Sequence, residues 1–90
     1  MIAISKQYLY TCDPGHGWLR VTRAELHRIG VTPSMYSYVK GKYAYLEEDC
    51  DMPKFMQVKA FISEPVNILE RHVETTKIRT YERYGHEISA

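Results

Sequence analysis

The chain has 90 residues, 44% hydrophobic and 26% charged, which suits one small globular domain over residues 1–90 with a single modest core. Twelve basic and 11 acidic side chains leave a formal charge of +1, so the composition exerts no strong pull toward nucleic acid or toward an anionic membrane. No apolar run approaches the ~20 residues that a membrane-spanning helix needs.

The opening, MIAISKQYLYT, lacks the charged n-region and long apolar h-region of a secretory signal. A cytoplasmic setting is therefore expected, with Cys12 and Cys50 reduced. Two cysteines are no disulfide framework. Cys50 reads as a small buried hydrophobe. Eight tyrosines stand against two phenylalanines and one tryptophan. Tyrosine suits positions with one dry end and one wet end, binding surfaces among them.

Lys6–Thr11, rich in aromatic and β-compatible residues, predicts a first strand. Asp13-Pro14-Gly15 then predicts a turn: Asp can accept from backbone two residues on, Pro fixes φ, and Gly tolerates positive φ. Gly17–Val21 returns as a second strand. Thr22 and Glu25 have capping-box spacing, with Val21 and Leu26 placed as a hydrophobic staple. The predicted helix runs Arg23–Ile29 and ends at Gly30 in the left-handed region. Seven residues form no stable helix alone, so this one must dock through Leu26 and Ile29.

SMYSYVKGKYAYLEE predicts a hairpin turning at Gly41. A three-residue loop, Val39–Lys40–Gly41, would confine positive φ to the glycine. Tyr36 and Tyr38 would then share a face with Ala44 and Leu46. Tyr43 and Tyr45 would share the other with Met35 and Ser37. Asp51 predicts the N-cap of a second helix with Pro53 in its first turn. Phe55, Val58 and Ile62 recur at helical spacing beside Met52 and Met56, and Glu64–Pro65 stops the helix. Val66–Glu74 predicts the last strand. The order β-β-α-β-β-α-β defines an α+β domain, a mainly antiparallel sheet with two helices on one face. Residues 75–90 are polar and weakly periodic, with 85–90 expected to be a flexible tail.

Cys12, Asp13 and His16 invite a nucleophile, a base and an orienting acid. Three side chains in one tight turn point apart, however, and the turn reading is preferred to a catalytic thiol. Glu47, Glu48, Asp49 and Asp51 are oxygen-rich but lack the glycine and bidentate Glu of an EF-hand loop. Acids also favour helix starts through the macrodipole, which is the reading adopted. Cys12, His16, Cys50 and His72 have no zinc spacing. No metal or other cofactor is expected, and His27 and His72 read as surface or half-buried residues. Arg79, Tyr81, Arg83 and Tyr84 interleave charge with aromatics, an alternative grip for single-stranded nucleic acid. Glu82 and Glu87 dilute that charge.

CDPGHGWLRV, YSYVKGKYAYLEEDCD and IRTYERY together resemble a family of small uncharacterised proteins of bacteriophages and prophages, over most of residues 8–84. The resemblance implies a setting, an accessory protein in the cytoplasm of an infected host, and no reaction. The expected function is stoichiometric binding and inhibition of a host protein complex, foremost a bacterial defence system, in an anti-CRISPR-like or anti-restriction role. Tyr36, Tyr38, Tyr43 and Tyr45, with Glu47, Glu48, Asp49 and Asp51, are the expected contact residues, the acids facing a basic surface of the target. A nucleic-acid-binding regulator is one alternative. A Cys/His enzyme or metalloprotein built on Cys12, His16 and Cys50 is another. The chain is expected to be a monomer or a homodimer.

Overall fold

The structure, a computed structural model, describes residues 7–85. Six strands, two helices and one 3-10 turn follow the chain: β1 Gln7–Cys12, β2 Gly17–Thr22, α1 Arg23–Ile29, β3 Tyr38–Lys40, β4 Tyr43–Glu47, α2 Asp51–Phe61, β5 Asn67–His72, the 3-10 turn Lys77–Thr80 and β6 Glu82–Arg83. The strands form one sheet in the order β5-β1-β2-β4-β3-β6. Only β1 and β5 run parallel; the other neighbours are antiparallel. This is the expected α+β architecture, with a sixth strand that the sequence did not announce. No helix among the described residues is long and apolar enough to cross a membrane.

Local chemistry sets α1. Thr22 Oγ1 accepts from the Glu25 N–H at 3.1 Å, and Gly30 ends the helix at φ 77°. Leu26 is buried, and Ile29 packs against the core from its edge. In α2 the expectation fails at the first residue. Cys50 is the N-cap and offers no side-chain bond, while Asp51 is the first helical residue. Its carboxylate turns into the protein to hold Ser34 and Ser37. Cys50 itself is half-buried rather than buried, with its sulfur 3.7 Å from Ser34 Oγ.

The hairpin register also differs from expectation. Lys40 pairs with Tyr43, so the loop is Gly41–Lys42, two residues long. Gly41 takes φ 59° at the first loop position, and Lys42 keeps negative φ. Val39 therefore lies opposite Ala44. Tyr38 leaves the face of Ala44 and Leu46 and joins Tyr43 and Tyr45 on the other.

The helix-covered face buries Tyr8, Leu19, Val21, Val39, Ala44 and Leu46 against Leu26 of α1 and Phe55 of α2. The second face carries Leu9, Thr11, Trp18, Arg20, Tyr38, Tyr43 and Tyr45, by strand alternation. After β5 the chain crosses this face and adds β6 to the opposite edge. Ile78 and Thr76 of this strap are buried. A polar sequence with one well-placed isoleucine thus closes a face that the sequence left open. Of the expected tail 85–90, residues 86–90 lie outside the described residues.

Candidate functional site

Asp13 makes the first turn. Its Oδ1 accepts from the N–H groups of Gly15 and His16, both at 3.0 Å, and its own N–H donates to the His16 carbonyl at 2.9 Å. The turn reading therefore holds, although Gly15 does not take positive φ. The same carboxylate fastens the strap. Arg79 Nε donates to Oδ2 at 3.0 Å and Nη2 to Oδ1 at 2.8 Å, a bidentate pair. Arg79 holds the Asp13 carboxyl far below the usual carboxylate range. The guanidinium also stacks over the Trp18 ring at 5.1 Å.

Between the strap and the β1–β2 turn lies a groove of about 370 Å³. Tyr36 and Tyr38 supply aromatic surface beside the buried Trp18 ring, Arg79 and Arg83 positive charge, Glu47 and Asp49 negative charge, with His16 and Cys50 in its wall. The Trp18 and Tyr38 rings meet edge-on at 6.2 Å, and Arg83 lies 5.0 Å over Tyr38. Trp18 is 2% exposed. Its Nε1–H has no acceptor among the described residues.

The expected contact residues divide accordingly. Tyr36, Tyr38, Glu47 and Asp49 gather in the groove. Tyr45 packs under the strap against Tyr81 at 5.1 Å, and Tyr43 is covered by Arg20 at 4.6 Å. Glu48 accepts from the Tyr10 hydroxyl at 2.6 Å. Asp51 is fully buried and meets no partner surface, because the loop before β3 consumes its oxygens. The alternative nucleic-acid set is largely engaged in contacts within the protein, although Arg79 and Arg83 are exposed. Arg79 is spent on Asp13, Arg83 donates to the Met35 carbonyl at 3.0 Å, and Tyr81 stacks on Tyr45. The Tyr84 N–H donates to the Ser37 carbonyl at 2.8 Å. Sequence reasoning missed His16, Trp18, Arg79 and Arg83 as groove residues, because the β2–β4 pairing and the strap bring them there.

Arg79→Ala is expected to loosen the strap selectively. Amide exchange should rise over residues 76–83 and change little in α1 and α2, with melting lowered by a few degrees. Hydrogen-exchange mass spectrometry checks this.

A second cluster lies at the end of β1. Cys12 and His72 are ladder partners, with Sγ 3.2 Å from Nδ1. The other ring nitrogen of His72 is 3.2 Å from Glu70 Oε1. The sequence reading grouped Cys12 with Asp13 and His16; the fold gives it a different base. Desolvation, followed by the negative charges of Glu70, Glu48 and Asp13, pushes the thiol up. That opposes thiolate chemistry at neutral pH. Cys12 is expected to alkylate with iodoacetamide more slowly than free cysteine at pH 7, and faster in Glu70→Gln. Mass spectrometry of the timed reaction measures both. Cys50 and His16 line the groove instead, so the four residues weighed for a zinc site separate into two pairs.

Fold and groove define a small α+β domain with an aromatic, mixed-charge cleft on the strap side of its sheet. Comparison with family models, curated proteins and solved structures finds no match.

Proposed function

We propose that the protein acts by contact and not by bond-making, occupying the surface of a partner protein through its groove. The composition of the groove carries this reading. Tyr36 and Tyr38 stand beside Arg79 and Arg83, with the Trp18 ring buried beneath Arg79. Trp, Tyr and Arg are the side chains enriched where protein contacts are strongest. Tyr36 is 62% exposed and its neighbour Met35 54%, large apolar surface at the rim. Glu47 and Asp49 supply a polar border of the kind interfaces have. The sequence resemblance to phage and prophage proteins motivates the choice of partner. It is a host protein complex, foremost a bacterial defence system, inhibited stoichiometrically in an anti-CRISPR-like or anti-restriction manner.

The test uses tagged wild type and Tyr36→Ala in parallel, first for capture from infected-cell lysate. The identified target is then titrated by calorimetry. The expected result is a fixed stoichiometry, with affinity falling about tenfold or more in Tyr36→Ala. Cross-linked wild type that retains no host protein, or a variant that binds as tightly as wild type, would sink the reading.

A further inference from the structure

His16 sits in the β1–β2 turn, and Glu47, Glu48 and Asp49 sit at the end of β4 and just beyond. Nothing in their spacing joins them. Pairing of Trp18 with Glu47 brings the two segments side by side, and the Glu48 N–H fastens them by donating to the Gly17 carbonyl at 3.0 Å. One ligand atom from each of the four residues then lies within 4.8 Å of all the others. Two ligands of one cation can stand at most two metal–ligand bonds apart, about 4 to 5 Å for zinc or calcium. The four side chains meet the upper, calcium end of that span, and a shift of about half an ångström closes them onto a smaller ion such as zinc.

We propose that His16, Glu47, Glu48 and Asp49 form a divalent-cation site of the borderline first-row class, such as Mn²⁺, Co²⁺ or Zn²⁺. The donor set selects the class: one imidazole nitrogen suits transition metals, and three carboxylates suit a hard or borderline ion. Charge supports the site. Among the described residues none of these three carboxylates is paired with Lys or Arg; His16 Nδ1, 3.7 Å from Glu47, is their nearest side-chain nitrogen. A cation relieves that concentration of negative charge. Two of the carboxylates are already oriented by donors, Glu48 by the Tyr10 hydroxyl at 2.6 Å and Glu47 by the Asp49 N–H at 3.0 Å.

A separate observation points to a ligand at the same place. The Trp18 indole lines the groove together with His16, Glu47 and Asp49, and its buried Nε1–H lacks an acceptor among the described residues. Buried donors are almost always satisfied. A ligand oxygen seated against the indole would supply the acceptor that the described residues do not. The site stands independently of the partner proposed above.

Trp18 is the only tryptophan, and its ring lies 6.0 Å from that of His16. Its fluorescence therefore reports the site directly. Purified full-length protein is titrated with Co²⁺ and Mn²⁺, which quench nearby emission, and with Zn²⁺ while melting is followed. Wild type should show saturable quenching and a Zn²⁺-dependent rise in melting temperature. Glu47→Gln/Asp49→Asn should weaken binding about tenfold or more. Without metal it should melt no lower than wild type, because it sheds repelling charges. Asp49→Asn alone, at an exposed position, serves if the double variant fails to fold. No saturable quenching below about 1 mM cation, the weak end for biological sites, overturns the proposal. So does unchanged affinity in both acidic variants. His16→Gln that binds Mn²⁺, Co²⁺ and Zn²⁺ as tightly as wild type removes the imidazole from the site and overturns the assignment to this metal class.

Discussion

Lys59→Met is expected to destabilise the domain by about 3–5 kcal/mol, the cost of removing one partner from a buried ion pair. Lys59 projects from α2 and is 3% exposed. Its ammonium donates to Glu25 of α1 and, at 2.7 Å, to Glu64 after α2. Tyr8 of β1 donates to the same Glu25 at 2.6 Å, and Arg28 of α1 makes two bonds to Glu64, at 3.0 and 2.7 Å. Sheet and both helices are thus joined through one buried charge. Methionine keeps much of the lysine stem, so the loss isolates the charge from the packing. Pairing the change with Glu25→Gln should recover more than half of the loss, since the buried negative charge is then removed together with its closest cation. Urea denaturation of the four proteins measures the cycle. A Lys59→Met loss under about 1 kcal/mol, the level of a surface pair, would mean that the cluster is solvated.

The same cluster sets a pH window. Arg28 first, and then Lys59, pull the Glu64 carboxyl down to about 2. A folded-state pKa below the unfolded value means that this contribution is complete above the unfolded pKa, about 4.3. It is lost as pH falls from there toward 2. Desolvation opposes the charge on Lys59, but hydrogen bonds to Glu25 and Glu64 outweigh it and raise the ammonium above its usual pKa. That contribution is complete below the ordinary lysine pKa and fades only at higher pH. Stability should be flat from about pH 5 to 10 as far as these two groups are concerned.

What was legible in the sequence was local. Thr22, Glu25 and Gly30 specify α1 because a cap and a left-handed stop act within one turn of their own backbone. Asp13 specifies its turn for the same reason. The hairpin could have been read correctly from its apolar residues. Val39, Ala44 and Leu46 fall on one face only if the loop has an even number of residues, and of the two-residue choices Gly41–Lys42 places the glycine, and no lysine, where positive φ is needed. Preference for a longer loop put Tyr38 in the core. The strap was not legible, because its contribution is one buried isoleucine and contacts to distant residues: Arg79 with Asp13, Tyr81 with Tyr45. The groove and the acid–histidine cluster depend on that strap and on the β2–β4 pairing. Linear spacing records neither. Asp51 misled for a related reason. It stands at a helix start, where acids serve the dipole, yet its oxygens answer a loop many residues earlier.

Asp51→Ala carries the second large effect, a loss of about 3–5 kcal/mol, as several charge-assisted hydrogen bonds to one buried carboxylate imply. Asp51 has no exposed surface. Its oxygens accept from the Ser34 N–H at 3.0 Å, from Ser34 Oγ at 2.8 Å and from Ser37 Oγ. Ser37 Oγ in turn accepts from the Glu47 N–H at 3.0 Å. The carboxylate therefore ties α2 to the loop before β3 and, through one hydroxyl, to β4. Desolvation works against its charge, but the donors on Ser37 and Ser34 prevail and its pKa is lowered. Its contribution is complete above the ordinary Asp value of about 3.9 and is lost in acid. Asp51→Asn should fall between wild type and Asp51→Ala, since the amide keeps one acceptor and turns a donor toward donors. Ser37→Ala combined with Asp51→Ala should cost less than the two single losses added, because both remove the same bond. The loop so held carries Met35 and Tyr36 to the rim of the groove. Partner binding should thus weaken in Asp51→Asn at temperatures where circular dichroism still shows a folded domain. Full additivity in the cycle, or undiminished binding by a destabilised Asp51→Asn, would separate this carboxylate from the groove it is argued to shape.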